Sequence, residues 1–323
     1  MPSSCQYLTM ANLTVAVLGP AGYAKDLGKK GTSTDITFYN LKKGADTITF
    51  IEPTRYPDRL APLFYAASMA DAAVIVVDQL DAVFGECLLM LRAAGVPRGF
   101  LVLRNYIAPE QVAPLLKGLG LEGYECVEDD LIVLRERLLD EASRAHADAE
   151  TKETCIVPID HFFNVRGIGT VILGTVADGT LRKHDDLRVF PTEKTALVRS
   201  IQKHDDNFDE ATVGDRVGLA LKNVDEEDLD RGYVLSNDPT LRYETTVTGT
   251  LDLVPVWKTP VTEGMVLHLG HWVQFLPSRV VAVEGSRVTV ELEKELVFKD
   301  GSKAVVTYLE GGSLRVAGTI TLE

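Results

Sequence analysis

The chain has 323 residues, 46 % of them hydrophobic, and a formal net charge of −14. A chain of this length divides into two or three domains with material for several cores. The negative charge argues against a generic polyanion binder held by bulk electrostatics, but leaves room for RNA on a local basic or stacking surface. No apolar run approaches the ~20 residues that span a bilayer. The opening Met-Pro-Ser-Ser-Cys-Gln-Tyr lacks the basic-then-apolar order of a secretory leader. Cys5, Cys87, Cys126 and Cys155 are far apart, which points to free thiols in a reducing cytoplasm.

The first predicted elements alternate strand and helix. Val15–Leu18, Ile48–Ile51, Ala73–Val77 and Phe100–Leu103 are short, dense and β-branched, as strands buried on both faces are. Between them, Asp58 is placed to cap a helix carrying Leu60, Leu63, Phe64 and Ala67. Phe84, Cys87, Leu88 and Leu91 make a second helical stripe closed by Gly95. Pro109 suits the first turn of a third helix, and Leu131, Leu134 and Leu138 begin a fourth that runs into a polar stretch, Ser143–Glu150. Such alternation predicts a mostly parallel α/β sheet.

The first strand runs into Gly19-Pro-Ala-Gly-Tyr-Ala-Lys-Asp26. A phosphate loop reads G-x-x-x-x-G-K-[ST], with backbone N–H groups around the phosphates, Lys on the outer oxygens and the hydroxyl on Mg²⁺. Aligned on Gly19, the chain keeps Gly19 and Lys25, with Gly22 inside the loop. Ala24 replaces the second glycine and Asp26 the hydroxyl residue. Gly19, Gly22 and Lys25 are therefore the candidate nucleotide contacts. The competing reading is a solvated Lys25, since Asp26 repels phosphate.

Past the polar stretch His146–Thr154 the texture changes to strands and turns. Turn signals at Arg166-Gly167, Asp178-Gly179, Val213-Gly214-Asp215 and Arg231-Gly232 separate strands such as Thr170–Val176 and Arg216–Leu221, a barrel pattern. Asn237-Asp238-Pro239 marks a second boundary. Val280–Val283, Arg287–Leu292, Lys303–Leu309 and Leu314–Thr321 follow as a further β region. His268-Leu-Gly-His271 is the only close histidine pair. It has no third ligand nearby, so no metal site is expected and packing histidines are the default.

Pro158-Ile-Asp-His-Phe-Phe-Asn-Val-Arg-Gly-Ile-Gly-Thr-Val-Ile-Leu-Gly-Thr-Val176 resembles the opening of the second domain of elongation factor Tu and its relatives. Gly179-Thr-Leu-Arg-Lys-His-Asp-Asp-Leu187, Val213–Leu221 and Asp230-Arg-Gly-Tyr-Val-Leu235 resemble its later landmarks. Val198-Arg-Ser-Ile-Gln202 looks more like the selenocysteine-specific elongation factor. The resemblance implies a fold of α/β plus all-β type: a reduced P-loop G-domain-like parallel sheet over 1–150, then two β-barrel domains over 151–239 and 240–323.

It also implies that the first domain is a degenerate G domain. Lys29-Lys-Gly-Thr-Ser-Thr-Asp-Ile-Thr-Phe38 resembles the family's KRGITIDLGF segment but follows the phosphate loop too soon, so most of the first helix and first switch are missing. The Asp-x-x-Gly motif for Mg²⁺ and γ-phosphate falls at Glu52-Pro-Thr-Arg55, and Tyr56 stands where the family's histidine is expected. Arg104-Asn-Tyr-Ile107 stands where the guanine-reading Asn-Lys-x-Asp belongs.

In the family the second domain holds the terminal adenosine and aminoacyl ester of a charged tRNA. By resemblance that pocket maps onto Val165, Gly167, Val171, Gln202, His204 and Arg216. Glycine permits close approach of a ribose, valines cover a base face and Arg216 donates to an ester or acidic group. The implied protein is a shortened, archaeal-type elongation factor relative in the cytoplasm. Its expected partners are tRNA or aminoacyl-tRNA, with the ribosome or another translation factor beyond, and neither membrane nor DNA. A selenocysteine factor would continue past Glu323 into an mRNA-engaging domain, so recognition of an mRNA signal is not expected. Two alternatives stay open: a true GTPase using GTP/GDP with Mg²⁺ at a remodelled site, and a protein-binding regulator that mimics the factor.

Overall fold

The computed structural model describes residues 12–44, 46–144 and 152–323. Cys5 and residues 146–151 of the polar boundary stretch lie outside them.

The first sheet has seven strands: β1 (Asn12–Leu18), β2 (Lys29–Ser33), β3 (Thr37–Lys43), β4 (Asp46–Glu52), β5 (Ala72–Val77), β6 (Arg98–Leu103) and β7 (Gly123–Val127). Their order is β2-β3-β4-β1-β5-β6-β7. Strands β4, β1, β5, β6 and β7 run parallel, while β2 and β3 fold back antiparallel at one edge. The period-two alternation of β1 sends Val15 and Val17 to one face and Ala16 and Leu18 to the other, each into its own core.

Among the described residues the α-helices are α1 (Ala61–Ser68), α2 (Ala82–Ala94), α3 (Pro109–Leu116) and α4 (Leu131–Ala142). On one face, α1–α3 contribute Leu63, Leu88 and Val112 to the core, which continues into Val254, Val305 and Val316 of the C-terminal β region. On the other face α4 contributes Leu134 and Leu138. The C-terminal end of helix α2 is bounded as the sequence predicts. Asp81 accepts from the Phe84 N–H at 2.9 Å, and Gly95 ends the helix at φ +75°. The start of helix α1 is not. Its N-cap is Leu60, already helical at φ −79° and ψ −34°, and no side chain caps it. Asp58 lies instead in the preceding turn. Helix α4 stops at Ala142, before the polar stretch.

Nine strands form the next sheet: β8 (Cys155–Val165), β9 (Gly169–Thr175), β10 (Asp178–Arg182), β11 (Asp186–Phe190), β12 (Thr195–Lys203), β13 (Asp206–Phe208), β14 (Glu210–Thr212), β15 (Arg216–Lys222) and β16 (Val234–Ser236). Six of them, β8-β16-β11-β12-β15-β9, close into a barrel because β9 pairs back onto β8. Ile159, Ile172, Leu187, Val198 and Leu219 fill its interior. The last six strands close into a second barrel ordered β17-β20-β19-β18-β21-β22. They are β17 (Arg242–Leu253), β18 (Val266–His271), β19 (Gln274–Glu284), β20 (Arg287–Phe298), β21 (Lys303–Thr307) and β22 (Val316–Leu322). Among the described residues no helix is long and apolar enough to cross a membrane.

The sheet and both barrels touch one another. Phe64 of α1 packs on Phe275 at 5.4 Å between ring centres, against Gly270 of β18. A Cβ on Gly270 would stand 2.4 Å from that Phe64 ring, so only glycine admits it. Arg315 donates to the buried Glu86 carboxylate of α2 at 2.6 and 3.0 Å. Lys299 joins the barrels by pairing with Asp238 at 2.6 Å and Asp178 at 3.1 Å.

Candidate functional site

A cleft of about 710 Å³ opens between the first sheet and the first barrel. The barrel side comes from β12, β15 and the β12–β13 turn, which present Gln202, Arg216 and His204. The sheet side comes from β2 and β3, which present Lys29, Lys30 and Lys42, with Arg135 of α4 beside them. Five cationic residues and one carboxylate, Asp205, line the cleft, in a chain whose net charge is −14. Two of the five cations are ion-paired, Lys42 with Asp206 at 2.5 Å and Arg216 with Asp160 at 2.7 Å.

Gln202 is exposed on β12, and its side-chain amide donates to Asn207 at 3.1 Å. His204 does not continue that strand. It falls in a two-residue connection with Asp205, at φ +48° and +70°, because left-handed turns match the twist of a hairpin. Burial, followed by the nearby charges of Lys42 and Arg216, holds the His204 imidazole below its ordinary pKa. Its Nε2 is buried and has no hydrogen-bond partner among the described residues.

Arg216 is already engaged. Its two terminal nitrogens donate to the Asp160 carboxylate at 2.7 and 2.9 Å. Asp160 is 1 % exposed and also meets His161 Nδ1 at 2.6 Å. Burial works against this carboxylate, but the Arg216 charge and the hydrogen bonds from His161 and Arg216 overcome it and hold the pKa low. His161 Nε2 then reaches the Thr34 hydroxyl at 3.1 Å. Arg231 donates to Asp35 at 2.8 and 3.0 Å and to the Asp160 carbonyl at 3.1 Å. The turn between β2 and β3 is thus tied to the barrel from two sides.

The other predicted positions lie elsewhere. Val165, Gly167 and Val171 belong to the β8–β9 hairpin, with Gly167 at φ +81° in its turn, and none of them lines the cleft. Arg216 pairs in register with Thr175, while Val171 pairs with Ala220. Four residues of strand, roughly 13 Å, separate those two levels.

At the end of β1, Gly19–Asp26 forms a loop with a short 3₁₀ turn, Ala24–Asp26, and then passes to β2. Gly19 has φ +117°, and a Cβ there would lie 2.3 Å from the Val76 carbonyl, so the position requires glycine. Lys25 is exposed. Ala24 N–H donates to the Glu52 carboxylate at 3.1 Å, and the Gly22 N–H donates to its other oxygen. Past β6, Arg104 pairs with Asp129 at 2.8 Å and stacks over Tyr23, whose hydroxyl also donates to Asp129.

The comparisons with known proteins agree with this architecture. Residues 169–236 match the family elongation factor Tu domain 2. The chain is 40 % identical over 295 residues to the uncharacterized protein MJ0325 of Methanocaldococcus jannaschii, covering 91 % of this chain and 94 % of that protein. It is 22 % identical to the selenocysteine-specific elongation factor of the same organism, covering 91 % and 71 % of the two chains. The chain belongs to the translational GTPase superfamily, among its SelB- and elongation factor Tu-like members. Translation elongation factor SelB of Methanococcus maripaludis, crystallised with the GTP analogue GppNHp, shares the fold. The TM-score is 0.81 at 23 % identity over 97 % of this chain and 79 % of that one.

Within this superfamily fold, the structure brings Gln202, His204 and Arg216 into one cleft and leaves the three hairpin residues outside it. Sequence reasoning missed Asp160 and His161, although both stand in the segment that carries the resemblance. It also missed Phe38, Lys42 and Arg135, which reach the cleft only through tertiary packing. Glu52 was assigned by position to the magnesium motif, and no sequence signal joins it to Gly22 and Ala24.

Proposed function

We propose that this translational GTPase relative is an elongation factor-like protein that holds the aminoacyl end of a tRNA in the cleft between the first sheet and the first barrel. Nucleotide binding and GTP hydrolysis are weak or lost. In this reading residues 1–150 are the nucleotide-derived unit, 151–239 the tRNA-end unit and 240–323 the third unit, and the protein works in the cytoplasm.

The observation that carries the first part is the cleft lined by cationic residues on an acidic chain, with the buried His204 Nε2 without a partner among the described residues. Lys29 and Lys30 suit backbone phosphates, Lys42 already pairs with Asp206, and Gln202 offers a donor and an acceptor to a base or ribose. Arg216 acts here as a positioning residue, since Asp160 holds both its terminal nitrogens. Val165, Gly167 and Val171 belong to the outer end of the binding surface.

The second part is supported by the residues at the nucleotide positions. Gly19 and Gly22 keep the loop's turn, but Lys25 is exposed, Ala24 and Asp26 replace the glycine and the hydroxyl, and Arg104–Ile107 replace the guanine motif. No magnesium-ligating hydroxyl follows the loop lysine, so the residues present do not fit a family-type Mg²⁺–GTP complex.

Protection of an aminoacyl-tRNA ester against hydrolysis tests the tRNA claim, and absence of protection for every aminoacyl-tRNA tried overturns it. Titration of fluorescent GDP and GTP with Mg²⁺ tests the nucleotide claim, and micromolar or tighter binding overturns that.

A further inference from the structure

The amide cradle after β1 already holds an anion, and the anion is part of the chain. The Glu52 carboxylate, at the end of β4 and 6 % exposed, accepts hydrogen bonds from the Gly22 and Ala24 N–H groups, one on each oxygen. We propose that Glu52 is a built-in ligand of this loop: its carboxylate takes the place of a phosphate group and excludes nucleotide from the site. The inference rests on the reading above that nucleotide binding is weak or lost, and names the residue responsible.

A phosphate entering the loop meets a like charge already bonded to the donors it needs. Displacing Glu52 leaves a carboxylate buried without those donors, so a ligand loses twice, once to repulsion and once to the unsatisfied group. The loop is also held in shape from other sides without any ligand. Tyr23 donates to Asp129 at 2.9 Å, and Arg135 donates to the carbonyls of Leu27, at 3.1 Å, and Asp26.

The test follows the Gly22 and Ala24 amides by NMR hydrogen exchange in the full chain. Inorganic phosphate is the probe, and sodium chloride at matched ionic strength is the control. In the wild type both amides are predicted to exchange slowly without added anion and to keep their resonance positions in millimolar phosphate. In Glu52→Ala their exchange is predicted to rise about tenfold, with phosphate, but not chloride, shifting both resonances and restoring protection. Unchanged exchange in this variant overturns the proposal, as does faster exchange that phosphate fails to reverse.

If Glu52→Ala does not fold, Glu52→Gln keeps one acceptor oxygen and is predicted to release one amide while the other stays protected. Release of neither contradicts the proposal. Tight GDP or GTP binding by the wild type overturns both this inference and the nucleotide reading. A wild type indifferent to nucleotide, with a Glu52→Ala loop indifferent to phosphate, overturns this inference alone.

Discussion

The Arg216 guanidinium lies 3.8 Å from the ring centre of Phe38, so a residue of the first barrel is stacked on a strand of the first sheet. The same guanidinium holds the buried Asp160 carboxylate with two hydrogen bonds. Removing it leaves that carboxylate without its main counter-charge. Arg216→Ala is therefore predicted to cost about 3–5 kcal/mol of stability, measured by urea unfolding. A loss below about 1 kcal/mol, typical of an exposed pair, would show that the pair is not desolvated as described.

Gln202 offers a cleaner test of the cleft. It is exposed, and Gln202→Ala is predicted to change stability by no more than about 0.5 kcal/mol while weakening protection of an aminoacyl ester. Stability unchanged with protection also unchanged would remove Gln202 from the binding surface.

The joint between the first sheet and the second barrel has its own signature. Arg315 donates to Glu86 through its backbone N–H at 2.8 Å and its side chain at 2.6 and 3.0 Å, and Glu86 is 2 % exposed. Glu86→Ala is predicted to cost about 3 kcal/mol or more and to separate unfolding of the second barrel from that of the sheet in calorimetry. A single transition at the wild-type temperature would contradict this.

Stability is also predicted to depend on pH through His271. Burial pushes its imidazole down to about 4 from an ordinary 6.5, with a partly opposing hydrogen bond involving the Lys303 carbonyl. The unfolded chain therefore binds the proton first as pH falls. The contribution is intact above pH 6.5 and is lost progressively between 6.5 and 4, by roughly 3 kcal/mol in total. Urea unfolding at pH 7 and at pH 4.5 measures it, and His271→Gln is predicted to flatten that part of the profile. An identical slope in the variant would assign the acid sensitivity to other groups.

Much of the fold is legible in the sequence, for reasons that particular residues make plain. Val15–Leu18 and Ala73–Val77 read as strands because parallel strands buried on both faces need unbroken apolar runs. The end of helix α2 is legible because Gly95 meets the left-handed backbone requirement there, whereas the Asp81 cap at its start emerges only in the structure. Asp58 misleads because an acidic residue before an apolar stripe caps a helix only when it stands immediately before the first turn, and here Leu60 takes that place. The cleft is only half legible. Gln202, His204 and Arg216 carry a resemblance within one barrel, whereas Lys42, Phe38 and Arg135 arrive from strands and a helix more than sixty residues away. The hydrogen bonds of Glu52 to Gly22 and Ala24 are a product of β1–β4 pairing, and no local pattern announces them.

The central claim is that this translational GTPase relative holds an aminoacyl-tRNA end without using a nucleotide. The most direct measurement is the rate of aminoacyl-ester hydrolysis in the presence of the full chain, compared in nucleotide-free buffer and with added GTP and Mg²⁺. The account predicts slowed hydrolysis without nucleotide and the same rate after GTP is added. Protection that appears only with GTP, or none under either condition, would contradict it.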